Sequence, residues 1–341
     1  MGALYRTDRT EMRCSSSVSS IRTGVSHRFN RRRPAAPPRR RRCSTGVRAE
    51  SGGDNIIIAE SQVRQAVKLS QLSYYTPDEL RKHAMPLGAC DLPMYYDGCR
   101  SFFNRSCQAY IWRLNEDKEV CVTFRGTAAL EDVYEALNCK TSRVNLSSHM
   151  DLESIYIHTG FVEQFMSVQG ALQEDLFRML TSRPSIRRVC FVGHSMGGAV
   201  AEVAALYFGS ILGVGGGAGA GAGASSDGGS GVSIQCVTLG SPKIGEGHDL
   251  EEAYKRCVPV NVRLINQRDI IPSVPSWLRH PVVGHVMHEG KIHVKPVDSS
   301  RLGDVCQWLR WYGDRSIKDH GLEAYSTSID EVFAQEDQMP A

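Results

Sequence analysis

Residues 189–200 read VCFVGHSMGGAV, an apolar run that glycine, histidine and serine interrupt before small apolar residues resume. The run RRVCFV (187–192) predicts a strand buried on both faces, as in a parallel sheet, and we expect a helix from Met196 to Phe208. A strand, a G-x-S-x-G pentapeptide and a helix are together the setting of a nucleophile elbow, a sharp turn that presents a serine hydroxyl.

The residues around Ser195 fit that turn. Gly193 and Gly197 lack a Cβ, so the strand and the helix can approach closely enough to project the serine outward from a strained backbone. The N–H of Met196, at the start of the helix, can face an anion formed beside Ser195. We take Gly193, His194 and Gly197 as the elbow; the alternative is a glycine-rich turn with an incidental serine.

The rest of the chain alternates between strand and helix patterns. Apolar spacing predicts helices over 60–72 and from Gly160 to about Leu180, and TPDEL (76–80) predicts a helix start with a capping box. QAYIWRL and EVCVTF predict a hairpin across the turn NEDK, and SIQCVTL and VNVRLI predict two further strands. We therefore expect one α/β domain over residues 51–335, with a mainly parallel sheet flanked by helices.

Composition places the chain among globular proteins and excludes several classes. Of its 341 residues, 41% are hydrophobic and 23% charged, enough for a large core. No uninterrupted run of 18 apolar residues occurs, so we expect no membrane-spanning helix. The net charge of +3 combines +10 over residues 1–50 with −7 over the remainder, which argues against a nucleic-acid-binding protein.

The first 50 residues are rich in arginine and serine and poor in acids. This composition is typical of organelle transit peptides, and VRAE (47–50) suits a cleavage site. We expect a disordered tail that addresses the protein to the plastid, with the mitochondrion or the cytoplasm as alternatives. A plain basic tail, or a polybasic patch that binds anionic lipid or nucleic acid, are the other interpretations.

The cysteines and glycines indicate neither a disulfide framework nor a phosphate loop. The cysteine count is eleven, and several cysteines lie in apolar strand-like runs, as small buried hydrophobes do in a reducing compartment. No C-x-x-C pair supports zinc binding, and we expect no metal and no cofactor. The glycine-rich stretch 213–231 predicts a flexible insertion.

A serine nucleophile needs a base and an acid, which in elbow enzymes follow it in the order acid, then histidine. Asp269 in LINQRDIIPSVP lies where a strand ends and a proline-rich loop begins, as expected of the acid; the alternative is an aspartate that caps a turn. Composition does not choose among the five histidines that follow, which are His280, His285, His288, His293 and His320. A metal site from the histidines at 285, 288 and 293 is disfavoured, because their segment has extended character and lacks helical spacing.

From about Tyr110 to Tyr325 the chain resembles the class 3 lipases, the fungal triacylglycerol lipase family of α/β-hydrolases. The matching motifs, in family order, are VTFRGT, IHTGF, VGHSMGGAVA, VTLGSPKIG, NQRDIIPSVP, GHVMHE and DHGLEAY. The resemblance implies an α/β-hydrolase fold with Ser195 as nucleophile, Asp269 as acid and His320 as base. His285 matches a family histidine that is not catalytic and is the second candidate for the base.

The same resemblance implies roles for the RGT turn (125–127) and for the segment that follows it. Thr127 corresponds to the family residue that completes the oxyanion hole together with Met196, and Arg125 is expected to fix the turn through an ion pair. In ALEDVYEALN (129–138) four apolar residues recur at helical spacing, as in the family lid or in a plain surface helix. The four residues are Leu130, Val133, Tyr134 and Leu137.

The expected function is that of a serine-dependent lipase acting on acylglycerols, galactolipids or phospholipids at the surface of a membrane or lipid droplet. The alternative is a catalytically silent, lipase-like protein that binds lipid or acts in signalling. A third interpretation, a basic adaptor of nucleic acid or membranes, rests only on the first 50 residues. The sequence leaves the lipid head group and the oligomeric state open.

Overall fold

The computed structural model describes residues 46–51, 54–83, 85–86, 88–98, 107–127, 141–143, 155–212, 231–247, 249–295 and 317–336. The expected transit-peptide residues 1–45 and nearly all of the glycine-rich stretch, residues 213–230, lie outside this set. The same holds for the four expected lid residues, Leu130, Val133, Tyr134 and Leu137. The predictions made for these segments therefore stay predictions.

The described residues form thirteen strands in three sheets. The strands are β1 (Gly46–Ser51), β2 (Asp54–Ala59), β3 (Met94–Asp97), β4 (Gln108–Leu114), β5 (Glu119–Phe124), β6 (Thr141–Arg143), β7 (Tyr156–His158), β8 (Arg188–His194), β9 (Ser233–Leu239), β10 (Gly245–Glu246), β11 (Val260–Asn266), β12 (Gly284–His288) and β13 (Lys291–Lys295). The largest sheet has eight strands in the order β13-β12-β11-β9-β8-β5-β4-β3, and the other sheets are β1-β2 and β10-β7-β6.

The middle of the large sheet is parallel. β12, β11, β9, β8 and β5 pair in parallel, whereas β13, β4 and β3 add antiparallel strands at the edges. β4 and β5 are the predicted hairpin, and their turn holds Asn115, Glu116 and Asp117 at positive φ. The predicted α/β-hydrolase fold with a mainly parallel sheet is confirmed.

Helices cover both faces of the large sheet. They are α1 (Glu60–Leu72), α2 (Pro77–Leu80), α3 (Thr159–Ser182), α4 (Met196–Leu212), α5 (Leu250–Cys257) and α6 (Leu322–Glu336). α1 has its predicted bounds, α3 and α4 extend a few residues beyond theirs, and α2 has the predicted capping box but only one turn. No helix of the described residues is long and apolar enough to cross a membrane.

The two faces of the sheet carry separate hydrophobic layers. On one face, Phe191 of β8 stacks on Phe208 of α4 with ring centres 5.4 Å apart, within a cluster that α3 and α5 complete. On the other face, α1 and α6 contribute to a second cluster of buried side chains, which also includes Trp112 of β4. Burying one large apolar side chain contributes about 1.5–3 kcal/mol, so these layers account for the continuous apolar runs of the central strands.

A strand, β1, spans the predicted boundary between tail and domain at residue 50, and the boundary stays a prediction. β1 begins at Gly46 and pairs antiparallel with β2, Gly46 opposite Ala59 and Ser51 opposite Asp54. The pairing uses backbone groups, which any side chain permits, so composition gave no sign of it. The suggested cleavage segment 47–50 lies inside this strand.

The parallel strands end at one edge of the sheet, where four segments with polar residues meet. Thr127 follows β5, Ser195 follows β8 and Asp269 follows β11. His320 ends a short 3-10 helix, Lys318–His320, that leads into α6. Because ligands of open α/β sheets bind beyond the carboxyl ends of the strands, we expect a binding site at this edge.

Two glycines allow β8, the turn and α4 to lie almost in contact. A Cβ on Gly193 would collide with the backbone of Gly197, and a Cβ on Gly197 would collide with the carbonyl oxygen of Phe124. Gly197 therefore fixes the helix against β5 as well as against β8. The sequence predicted the contact between strand and helix but not the contact with β5.

Glu202 is a carboxylic acid buried beneath this edge. It lies on α4 and is 1% exposed, and its Oε1 accepts a hydrogen bond of 3.4 Å from the Thr238 hydroxyl. Burial raises the pKa of Glu202 from 4.5 to about 8, although the nearby charge of Arg263 acts in the opposite direction. The folded protein therefore holds a proton here that the unfolded chain releases.

We expect Gly197→Ala to lower the free energy of unfolding by about 1–3 kcal/mol or more, because the added methyl overlaps backbone atoms that side-chain rotation cannot move. Gly170→Ala in α3 is the matched control: its Cβ meets nothing within 4 Å, and alanine favours a helix over glycine by about 0.8–1.0 kcal/mol. Chemical denaturation measures both changes. Equal stability of the two variants would contradict the close packing.

The raised pKa of Glu202 predicts that the free energy of unfolding falls as pH rises from about 4.5 to about 8, because in this window the folded state binds more protons than the unfolded state. Glu202→Gln stays neutral and removes this contribution. Thermal unfolding of both proteins across the window should show that the stability of the variant, relative to that of the wild type, increases as pH rises. A pH-independent difference would show that Glu202 is ionised throughout.

Candidate active site

Ser195 occupies the turn between β8 and α4 in a conformation that non-glycine residues rarely adopt. Its φ is +57°, and the side chain is almost completely buried, with a 1% exposed residue surface. The backbone is tied on both sides, since the Ser195 N–H donates to the Leu239 carbonyl and the Ser195 carbonyl accepts from the Gly198 N–H, each at 2.9 Å. Such a costly conformation persists only where the surrounding structure enforces it.

Asp269 lies two strands further along the sheet, in the loop that follows β11, and is fully buried. Its Oδ2 accepts hydrogen bonds from His320 Nδ1 and from the Tyr325 hydroxyl, both at 2.8 Å, and its Oδ1 accepts from the Ile271 N–H at 2.9 Å. Three donors compensate the carboxylate for the water it loses on burial. Burial and the negative charge of Asp269 raise the pKa of Tyr325, so its hydroxyl remains a donor.

His320 faces Asp269 through Nδ1, and this fixes the role of its other nitrogen. A carboxylate only accepts hydrogen bonds, so Nδ1 carries a proton and donates it to Asp269. The segment is held by Asn266, whose side chain donates to the Asp319 carbonyl at 2.8 Å. The bond to Asp269 leaves Nε2 as the ring nitrogen that can act as a general base.

The hydroxyl of Ser195 and Nε2 of His320 are both buried, and neither has a hydrogen-bond partner among the described residues. The serine and the histidine therefore lie at the same edge without the hydrogen bond that would join them. Catalytic hydrogen bonds are often long in a ligand-free site and shorten when substrate binds. The arrangement supplies an acid and an oriented base, with an unpaired hydroxyl for the base to engage.

Thr127 and Met196 lie side by side next to Ser195. The Thr127 hydroxyl donates to the Met196 sulfur over 3.0 Å, and a Cβ on Gly126 would lie 3.3 Å from Ser195 Cβ. α4 begins at Met196, where helical N–H groups have no partner within the helix. An oxyanion formed at Ser195 would meet a hydroxyl and the start of a helix together.

A cleft of about 510 Å³ opens at this edge. Among the described residues, its polar lining comprises Tyr74, Thr127, His194, Lys318 and His320, and its apolar lining includes Ile317 and Leu322. Tyr74 and Tyr325 are site residues that the sequence analysis did not identify. Tyr325 belongs to the motif DHGLEAY and could have been found there, whereas no pattern singles out Tyr74 at the end of α1.

Two expectations need correction or restriction. Arg125 was expected to form an ion pair; it donates instead to the Gln108 side chain at 2.6 Å and lies over the Tyr74 ring at 5.8 Å. Gln108 supplies the acceptor in place of a carboxylate. His285, the second candidate for the base, lies buried on β12, where burial and Arg263 lower its pKa to about 4, while the hydrogen bond to Asp269 comes from His320.

The one group of possible metal ligands among the described residues lies outside this arrangement. Among the described residues, one group has ligand atoms close enough for an ion: Glu119, Cys121 and Cys190, all buried and within 4.8 Å of one another. They lie near the opposite ends of β5 and β8, away from the cleft. The hydrogen bond with Cys190, together with burial, raises the pKa of the Cys121 thiol, which disfavours the thiolate that a metal needs.

The chain is similar to known lipases in sequence and in fold. Residues 121–278 match the lipase (class 3) family. A lipase of Rhizomucor miehei is 23% identical over 198 residues, which cover 58% of this chain and 47% of that protein. A secreted mono- and diacylglycerol lipase of Fusarium solani is 31% identical over 99 residues, covering 29% of this chain and 28% of that protein. The chain thus spans about half or less of the curated relatives it matches.

A solved structure shows the same fold. The triacylglyceride lipase of Rhizomucor miehei superposes with a TM-score of 0.55 at 18% identity, over 76% of this chain and 91% of that one. Likeness at this level of identity concerns the fold alone. In sequence over residues 121–278 and in its fold, the chain is therefore similar to the class 3 lipases.

Proposed function

We propose that this protein is a serine-dependent lipase that hydrolyses carboxylic ester bonds of glycerolipids. The observation that carries the proposal is the 2.8 Å hydrogen bond between His320 Nδ1 and Asp269, at the edge where Ser195 stands at φ +57°. A carboxylate, an imidazole and a hydroxyl from distant segments meet there in the order that nucleophilic catalysis needs. The lipase names of the family and of the relatives support the same activity.

The first half of the reaction forms an acyl-enzyme. His320 Nε2 removes the hydroxyl proton as Ser195 Oγ attacks the ester carbonyl carbon. The carbonyl oxygen becomes an anion, which the Met196 N–H and the Thr127 hydroxyl stabilise once that hydroxyl turns from the Met196 sulfur. Asp269 stabilises the imidazolium that results, and its bonds to Tyr325 and Ile271 hold it in place.

The second half releases the fatty acid. The first half ends when the His320 imidazolium protonates the alcohol oxygen and the bond between that oxygen and the acyl carbon breaks. A water molecule then attacks the acyl group on Ser195 with His320 again acting as base, and the imidazolium returns a proton to Ser195 Oγ as the fatty acid leaves. Side chains and backbone groups of this chain perform every proton transfer. The scheme therefore needs no cofactor.

The cleft supports a lipid as the substrate. Ile317, 45% exposed, and Leu322 give the cleft beside His320 an apolar wall that suits an acyl chain. An exposed isoleucine at the mouth also suits peripheral contact with a membrane or a droplet surface. The proposed substrate class comprises acylglycerols, galactolipids and phospholipids, which differ in their head groups. A plastid address would favour a galactolipid or phosphatidylglycerol.

One observation favours the alternative, a catalytically silent lipid-binding protein. In the described structure Ser195 Oγ and His320 Nε2 make no hydrogen bond, and a protein that only binds lipid would not need one. All three triad residues are nevertheless present, and Asp269 keeps three hydrogen bonds that a binding role does not explain.

We expect the purified wild type to release fatty acid from at least one member of a panel of dispersed triacylglycerol, diacylglycerol, monogalactosyldiacylglycerol and phosphatidylglycerol. Ser195→Ala should reduce that activity by about 1,000-fold or more, because loss of a triad member leaves only oxyanion stabilisation and binding. Quantifying the released fatty acids and lyso-lipids identifies the substrate class. Equal activity of the two proteins would disprove the nucleophile assignment, and binding of lipid vesicles without hydrolysis by either would establish the silent alternative.

Thr127→Ala removes one proposed oxyanion donor while keeping the backbone. We expect kcat to fall by about 100- to 1,000-fold with KM little changed, since the donor acts on charge that exists only in the transition state. Thr127→Ser retains a hydroxyl and is the matched control, expected to keep most of the activity. A Thr127→Ala enzyme with wild-type kcat would remove this residue from the oxyanion hole.

A further inference from the structure

His194, the residue before Ser195, uses both ring nitrogens in hydrogen bonds that cross the site. Its Nδ1 lies 2.9 Å from the Tyr74 hydroxyl at the end of α1. Its Nε2 lies 2.7 Å from the backbone carbonyl oxygen of His320, 126 positions away in the chain. The ring is 6% exposed, so water does not compete effectively for these bonds.

The protons in this chain of bonds have one consistent arrangement. A carbonyl oxygen only accepts, so Nε2 of His194 carries a proton and donates to His320. In the neutral ring Nδ1 is then an acceptor, and the Tyr74 hydroxyl must donate to it. Burial raises the pKa of Tyr74, which keeps its hydroxyl protonated.

The neighbourhood also requires His194 to stay neutral. Burial and the adjacent His320 lower the pKa of His194 to about 3. The two rings have centres 4.6 Å apart, so a charged His194 would repel the imidazolium that forms on His320 during catalysis. A neutral donor at position 194 avoids this repulsion and still reaches the carbonyl.

These bonds connect the nucleophile to the base through the backbone. Asp269 fixes the ring of His320, but a ring can tilt or slide if the backbone beneath it moves. The bond from His194 fixes that backbone relative to the residue next to Ser195. Misplacing a reacting group by about 1 Å can cost about 100-fold in rate.

We infer that His194 is a positioning residue that holds the backbone of His320 at the distance from Ser195 needed for proton transfer, with Tyr74 selecting the ring form that makes this bond. The inference rests on the proposed function and adds to it two residues with assigned roles. It also gives a reason for a buried histidine in the elbow. A small apolar residue at this position would need no hydrogen-bond partners, but it could not hold the backbone of His320.

The test compares His194→Phe, which keeps a planar ring without a donor, with His194→Gln, whose amide N–H can reach the same carbonyl. With p-nitrophenyl butyrate as the soluble ester, we expect His194→Phe to lower kcat by about 10- to 100-fold at nearly unchanged KM. His194→Gln should recover most of the loss. Because a neutral His194 does not titrate in the working range, His194→Gln should also keep the acid limb of the pH profile of kcat/KM.

Tyr74→Phe removes one hydroxyl and tests the inference even if the phenylalanine variant at 194 fails to fold. We expect a severalfold loss of kcat. Tyr96→Phe is the matched control, because it removes a tyrosine hydroxyl that donates to Asp175 at 2.7 Å outside the cleft, and it should keep wild-type kcat. Thermal unfolding of each variant separates loss of folded protein from loss of turnover.

The outcomes are distinguishable. A folded His194→Phe or Tyr74→Phe protein with wild-type kcat would overturn the positioning role, and so would a His194→Gln protein no better than His194→Phe. Loss of the acid limb in His194→Gln would show that His194 titrates and takes part in proton transfer itself. A wild type that hydrolyses no ester in this assay or in the lipid panel would overturn the proposed function and the positioning role together.

Discussion

The contact of backbone with backbone at the end of β8 is the constraint on which the site depends. Gly193 touches Gly197, Gly197 touches the end of β5, and no side chain fits between them. This contact accompanies the left-handed conformation of Ser195, at φ +57°. The cost of such a conformation, about 1–3 kcal/mol, is offset by the packing of β5, β8 and α4.

Around this turn the structure concentrates buried polar groups, which are costly unless they are paired. Asp269 meets three donors, His320 is held through its ring and its backbone, and His194 is bonded at both nitrogens. The buried atoms that have no partner among the described residues include Ser195 Oγ and His320 Nε2, the pair whose meeting would start the reaction. The remaining groups form a rigid frame around that pair, which is the arrangement expected of a preorganised catalytic centre.

Much of the fold followed from local patterns in the sequence. The continuous apolar run before Gly193 predicted a buried parallel strand, the apolar spacing over residues 60–72 predicted α1, and TPDEL predicted the capping box of α2. These features depend on neighbours a few residues apart. Composition did not predict β1, because this strand is held by backbone pairing with β2, which leaves no trace in side-chain composition. The ion pair expected for Arg125 failed because its partner, Gln108, comes from the neighbouring strand.

The sequence by itself determined that a serine stands between two glycines at the end of a buried strand, and that a carboxylate and several histidines follow it. Resemblance to a family, and not spacing, selected His320 among those histidines. Only the tertiary structure brought His320 to Asp269 and revealed Tyr325 and Tyr74, because these groups lie tens to hundreds of positions apart and meet through the folding of the whole sheet. A hydrogen bond between side chains depends on distances of a few tenths of an ångström, and only the packed chain sets such distances.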